Sequence, residues 1–141
     1  MFPIAFGRGN TLDRELQPDD IAGVSDLYPA SAFRDGTGTA AGRVTRNGTG
    51  IIGAHVVAFN PATGALVAGF TLNNDGEFQI AGLVPGPHIL RVEPLDDADV
   101  DSFFSRPSAI DVGFAVTFYD RGYAAPKGGA GERVTVAVRP R

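Results

Sequence analysis

The decisive stretch of the sequence runs from residue 75 to residue 92 and reads Asp75-Gly76-Glu77-Phe78-Gln79-Ile80-Ala81-Gly82-Leu83-Val84-Pro85-Gly86-Pro87-His88-Ile89-Leu90-Arg91-Val92. Apolar residues alternate with polar ones in both halves, with Phe78 and Ile80 in the first and Leu90 and Val92 in the second. Alternation with a period of two is typical of a strand that buries one face. The prolines and glycines at residues 82–87 supply a turn between the two strands.

The same pattern extends in both directions and predicts an all-β fold. Turn signals at residues 47–48, 60–64 and 75–76 separate short apolar runs. About seven short strands at this spacing favour an antiparallel sandwich of two sheets. The predicted strands are Ala40–Arg46, Ala54–Asn60, Leu66–Asn73, Glu77–Ala81, His88–Pro94, Ile110–Tyr119 and Arg133–Val138. The predicted core residues are Val44, Val56, Phe78, Ile80, Leu90, Val92 and Val136.

Composition narrows the possible functions. The 141 residues are 43% hydrophobic and carry a net charge of -4, which gives no electrostatic basis for binding nucleic acid or an anionic membrane. The chain contains no cysteine, so disulfides and thiolate metal sites are excluded. No apolar run approaches the roughly 18 residues that a membrane-spanning helix needs.

One helix is predicted before the strands. Ile21, Val24, Leu27 and Tyr28 recur at helical spacing between two prolines, Pro18 in the first turn and a second one at the end. A helix of about ten residues depends on tertiary packing, so this segment either docks through that apolar stripe, on the sandwich or on another copy of the chain, or is mobile. We expect docking, because an exposed stripe of this kind would invite association. Residues 30–38 are small and polar and predict a linker.

Four segments in order resemble the carboxypeptidase regulatory-like domain. They are Ala41-Gly42-Arg43-Val44, Gly53-Ala54-His55-Val56-Val57-Ala58, Asp75-Gly76-Glu77-Phe78-Gln79-Ile80 and the run from Gly82 to Val92. The resemblance implies a prealbumin-like or Ig-like Greek-key sandwich that serves secreted proteins as an accessory module. The chain departs from the family at His88, where a tyrosine is usual, and at the longer connection of residues 95–108.

The N-terminal segment resembles the end of a matrixin-type zinc metalloprotease. The matching residues are Met1-Phe2-Pro3, followed by Leu16-Gln17-Pro18-Asp19-Asp20-Ile21-Ala22-Gly23-Val24 and Leu27-Tyr28. The resemblance places Met1 at the methionine turn and residues 19–28 in the closing helix. It implies that residues 1–30 are a protease remnant and residues 31–38 a linker, with the sandwich over residues 39–141.

The sequence predicts that this chain is not itself an enzyme and needs no cofactor. A metalloprotease of that kind uses three histidines on a zinc ion, and the two histidines present, His55 and His88, lie on separate strands. Zinc is therefore expected only in a longer parent. His88 could be a metal ligand or a proton carrier, but we interpret it as a partly buried strand residue in place of tyrosine. We interpret His55 as a residue that faces solvent or an interface. The glycines of residues 128–131 lack the lysine of a phosphate loop and predict a hairpin turn.

An acidic run is the remaining metal candidate. Asp96, Asp97, Asp99 and Asp101 could supply oxygen ligands to calcium. No glycine turn or bidentate glutamate follows at the spacing of an EF-hand, so a solvated acidic loop without bound calcium is expected.

The preferred hypothesis is a non-catalytic accessory, binding or stabilising module of a secreted bacterial metalloprotease-like protein, extracellular or periplasmic. Its expected partner is an upstream protease domain or another protein, with no nucleic acid and no membrane span. The first alternative is a zinc metalloprotease truncated before Met1. The second is a carbohydrate- or protein-binding adhesion domain with an aromatic patch drawn from Phe114, Phe118, Tyr119 and Tyr123, although Phe114 and Phe118 are expected in the core.

Overall fold

The fold is a two-layer β-sandwich with two short helices at one edge. A computed structural model describes residues 16–95 and 110–141. In these ranges the helices are α1 (Pro18–Leu27) and α2 (Ser31–Gly36). The strands are β1 (Gly38–Arg46), β2 (Thr49–Gly50), β3 (His55–Phe59), β4 (Leu66–Phe70), β5 (Glu77–Leu83), β6 (Gly86–Glu93), β7 (Thr117–Phe118), β8 (Tyr123–Ala125) and β9 (Val134–Ala137). The predicted fold class, an all-β sandwich with a short N-terminal helix, is confirmed.

The first sheet is built around β1. This strand pairs antiparallel with β2 and β5 and parallel with β9. The β1–β2 hairpin turns on Asn47 and Gly48, whose φ angles of 53° and 82° are the left-handed values that a tight two-residue turn requires. The parallel β9 differs from the antiparallel prediction, because β9 arrives from the second sheet instead of from a hairpin with its neighbour.

The second sheet has the order β4-β3-β6-β7, and β8 pairs with the other half of β6. Its pairs are antiparallel, with Val56 opposite Val92 and Ala58 opposite Leu90 in the centre. These residues face the first sheet and are fully buried. The core lies between the sheets and contains all seven residues that the alternation predicted, namely Val44, Val56, Phe78, Ile80, Leu90, Val92 and Val136.

Some local predictions are wrong. The predicted strand 110–119 is regular only at Thr117–Phe118, and two short strands, β2 and β8, were not predicted. The glycines of residues 128–131 do not close a hairpin, because β8 pairs with β6 whereas β9 pairs with β1 in the other sheet. The stretch predicted as a linker contains helix α2.

Helix α1 docks on the sandwich through Ala22 and Asp19, not through its apolar stripe. Ala22 is buried, and α1 lies so close to β5 that a Cβ atom on Gly82 would be 2.7 Å from the Ala22 Cβ. The Asp19 carboxylate accepts a hydrogen bond of 2.8 Å from the backbone N–H of Ala68 on β4. The docking prediction is therefore right about the helix and wrong about the face, because only a small residue can approach the backbone of β5 so closely.

Candidate interaction surfaces

The first candidate surface is the outward side of helix α1, which we call the helix stripe: Ile21, Val24, Leu27 and Tyr28. These side chains are exposed by 47%, 57%, 75% and 82%. They occupy positions that repeat at helical spacing, so they form one continuous face. An exposed apolar face of this kind is a candidate interaction site.

The second candidate surface lies on the outside of the second sheet, and we call it the outer face: Val57, Phe59, Leu66, Ile89, Arg91 and Phe118. The register places Phe59 between Leu66 and Ile89, and Arg91 opposite Phe118. These residues surround a shallow depression of about 340 Å³ with the buried Val57 at its floor. Leu66, Ile89 and Phe118 remain substantially exposed, so the outer face presents apolar surface to solvent.

A polar cluster borders the outer face. The Glu93 carboxylate contacts the Nδ1 atom of His55 at 2.9 Å through Oε1 and the guanidinium of Arg91 at 3.0 Å through Oε2. The His55 ring stacks on Phe70 with a centroid separation of 4.9 Å. The carboxylate and the stacked ring fix the imidazole in place, and no described serine or threonine hydroxyl is hydrogen-bonded to it. The cluster therefore orders this part of the surface.

The second histidine has a structural role. His88 is buried, and its Nδ1 atom lies 3.0 Å from the carbonyl oxygen of Gly86. It stands directly opposite Tyr123 on β8. The Tyr123 hydroxyl donates a hydrogen bond of 2.9 Å to the carbonyl of Thr39, and burial raises the pKa of Tyr123. His88 lies on a strand, as expected, and is buried more completely than the partial burial that was predicted.

The predicted aromatic patch is divided between core and surface. Phe114 and Tyr123 are buried, whereas Phe118 is 58% exposed. The expectation that Phe118 lies in the core is wrong, because β7 turns its alternate side chain to the outside of the second sheet next to Arg91. Phe118 therefore belongs to the outer face and is not part of a patch with the other aromatics.

The metal candidates fall outside the described residues. This applies to Asp96, Asp97, Asp99 and Asp101, and to Met1 at the proposed methionine turn. Within residues 16–95 and 110–141, no three histidine, aspartate or glutamate side chains come together as a metal site. The helices in these ranges are too short to cross a membrane.

The outer face was missed at the level of sequence, although a signal for it is present. The residues that alternate with the predicted core residues on two strands, Val57 and Phe59 on β3 and Ile89 on β6, are themselves apolar. A sheet with one solvated side should carry polar residues there. Apolar residues on both sides of a strand are thus a sequence signal for a second contact surface.

Comparison with known families assigns part of the chain. Residues 39–99 match the model of the carboxypeptidase regulatory-like domain. The match begins in β1, runs past the end of β6 and covers less than half of the chain. No curated protein matches the sequence. The matched domain is a non-catalytic fold.

Proposed function

We propose that this chain is the non-catalytic accessory module of a secreted metalloprotease-like protein, and that helix α1 is shared between the sandwich and an upstream protease domain. The observation that carries the proposal is the division of α1 into one face that contacts the sandwich and one apolar face that stays exposed. Ala22 and Asp19 attach the helix to the sandwich, while the helix stripe points away from it.

The energetics favour a second body against the helix stripe. Complete burial of one large apolar side chain contributes about 1.5–3 kcal/mol, so burying the four stripe residues would contribute several kcal/mol. Among the described residues, the contacts of α1 with the sandwich are smaller, since they bury the Ala22 side chain and include an exposed hydrogen bond from Ala68 to Asp19. A helix of ten residues needs tertiary contacts to persist. Packing on both faces would make α1 a rigid link between two domains.

The protease parent is supported by the resemblance of residues 16–28 to the closing helix of a matrixin domain. In such a domain the stripe of the closing helix packs on the catalytic core, which is the contact that this chain leaves open. The secreted location is supported by the family match, because carboxypeptidase regulatory-like domains usually occur in extracellular or secreted proteins. The module would set the position of the protease without taking part in peptide hydrolysis.

The first test is the coding sequence upstream of Met1 and the activity of the longer polypeptide that it encodes. We expect an in-frame His-Glu-x-x-His segment, one zinc ion per longer chain, and peptide hydrolysis that a chelator abolishes. The 141-residue chain should show no zinc-dependent hydrolysis. An upstream reading frame without a zinc-binding helix would refute the protease parent.

A matched pair of variants tests the shared helix. In the longer polypeptide, Leu27→Asp should destabilise the interface between the two domains, because it buries a charge where an apolar side chain belongs. Leu72→Asp is the control, since Leu72 is exposed to a similar extent, 71% against 75%, but lies outside the helix stripe. Equal thermal stability of the two variants would contradict a contact through the stripe.

The second candidate function is protein binding through the outer face. The apolar side chains around the 340 Å³ depression favour a protein partner over a carbohydrate, which requires several polar contacts beside each stacked ring. Titration with cellobiose and N-acetylglucosamine should leave the NMR signals of Phe59, Ile89 and Phe118 unchanged. Saturable shifts of these signals would instead establish carbohydrate binding.

A further inference from the structure

A groove opens between the edges of the two sheets, and we call it the edge groove. It has a volume of about 530 Å³. One wall is the outer edge of β9, and the other is β7 with the turn that follows it, residues 117–121. It does not include the helix stripe, so it is independent of the proposed protease parent.

Within residues 16–95 and 110–141, backbone N–H and C=O groups of β9 face the groove without a hydrogen-bond partner. The N–H of Val138 donates to the carbonyl of Thr45 on β1, at 2.8 Å. Backbone groups alternate in direction along a strand, so Val136 also turns its N–H and C=O toward β1. Thr135 and Ala137 therefore direct their N–H and C=O groups away from β1 and into the edge groove. Such an edge is ready to pair with another strand.

The chain itself shows that this edge accepts a strand. Beyond β9, the carbonyl of Arg139 accepts a hydrogen bond of 2.9 Å from the N–H of Ala115, and Phe114 pairs antiparallel with Pro140. The segment that contains Phe114 and Ala115 then leaves the β9 edge and continues into β7, which pairs with β6 of the other sheet. The edge groove begins where the two strands separate. The position next to Thr135 and Ala137 is thus the continuation of an existing antiparallel ladder.

We propose that the edge groove binds an extended peptide segment of another protein, which adds as an antiparallel strand to β9. The segment should alternate between apolar and polar residues. Its apolar side chains would continue the row begun by the buried Phe114 and enter the gap between the sheets, where Tyr119 and Val136 line the groove. Its polar side chains would stand outward, on the side that carries the exposed Thr135.

A single strand fits the edge groove better than a second copy of the whole chain. The turn at residues 119–121 lines the groove together with β9. A second sandwich would have to bring its own turn into the same space. The ladder on Arg133–Ala137 would be about 15 Å long at roughly 3.3 Å per residue, so a peptide of about five residues suffices.

Two-dimensional NMR of the full chain can test this binding. The probe is the blocked peptide acetyl-Thr-Val-Thr-Val-Thr-amide, in which the threonine backbones face β9 and the valine side chains enter the groove. We expect saturable shifts of the amide signals of Thr135 and Ala137, together with slower amide exchange at both. The same peptide N-methylated at its threonines should not bind, whereas N-methylation at its valines should leave binding within about twofold, since those amides face away from β9.

A pair of variants separates the ladder from the side chain. Thr135→Pro removes the N–H that points into the groove and leaves the hydrogen bonds between β9 and β1 intact. An edge strand tolerates proline at such a position. The substitution should abolish the peptide-induced shifts at Ala137. Thr135→Val keeps the N–H and should retain binding. An unchanged Val136 signal would show that the Thr135→Pro chain is folded. If that chain does not fold, Ala137→Pro replaces it, and the expected result is again loss of binding. Absence of saturable shifts, equal binding of the threonine-methylated peptide, or a dimer that Thr135→Pro dissociates would each overturn the proposal.

Discussion

Replacement of Gly82 by alanine should detach both helices from the sandwich without unfolding it. Gly82 lies in β5 with a φ of +78°, beneath α1 and α2. A Cβ atom there would be 2.7 Å from the Ala22 Cβ and 2.9 Å from the Phe33 Cζ. Neither distance is compatible with carbon–carbon contact, so Gly82→Ala forces the helices to move away from the sheet.

The structure sets the size of the effect. Alanine in a left-handed conformation costs about 1–2 kcal/mol. Detaching α1 exposes the Ala22 methyl group, worth about 0.8 kcal/mol, and loses the Asp19–Ala68 hydrogen bond, worth about 0.5–1.5 kcal/mol. Detaching α1 therefore requires less free energy than opening the core. The expected total loss of stability is about 2–4 kcal/mol.

Hydrogen exchange of residues 23–27 measures the detachment. In the wild-type chain these α1 amides should be protected, and in Gly82→Ala they should exchange near the random-coil rate while β1 and β6 stay protected. Gly64→Ala is the matched control, because its φ of +75° imposes the same strain in open space. Protection of α1 in Gly82→Ala equal to that in Gly64→Ala would refute the docking contact.

Three further predictions concern the core, its pH dependence and metal. Leu90→Ala should cost about 2–5 kcal/mol in urea unfolding, since Leu90 is fully buried, and a loss well below about 1 kcal/mol would show that its side chain does not pack in the core. The pKa of Tyr123 in the folded chain lies above its ordinary value of 10.0, so the stability that depends on the neutral phenol is complete below that pH and is lost as pH rises above it. The Tyr123→Phe chain should lack this alkaline loss, and equal pH slopes of unfolding in the two chains would contradict it. Calorimetry should detect no micromolar calcium binding, whereas binding that Asp99→Ala abolishes would establish a calcium site in the acidic run.

The sandwich could be predicted from sequence because its central strands bury one face each. On β5 and β6 the period of two and the bounding turns predict where each strand lies, which face is buried and which residues form the core. Phe78 and Leu90 are buried as expected. The region after residue 110 has the same alternation, yet Phe114 is buried and Phe118 is exposed. Alternation cannot reveal that the chain changes sheets between these two residues. After the change, the even-numbered side chains face outward, whereas before it they face the core.

The helix shows a second limit of sequence patterns. Periodicity identified the apolar stripe of α1 correctly, but the contact with the sandwich is made by Ala22 because Gly82 allows close approach of the backbones. The hydrophobic pattern therefore identified the exposed face of α1 and not the face that contacts the sandwich. The edge groove left no sequence signal, because it arises from unpaired backbone groups that only the strand topology places side by side.

The shared helix can be tested most directly by hydroxyl-radical footprinting of Leu27 and Tyr28 in two polypeptides. Both side chains are highly exposed in the 141-residue chain, at 75% and 82%, and should be labelled readily there. In the longer polypeptide that includes the upstream domain they should be protected, while the exposed Leu72 is labelled equally in both. Equal labelling of Leu27 and Tyr28 in the two polypeptides would contradict the proposal that α1 joins the sandwich to a neighbouring domain.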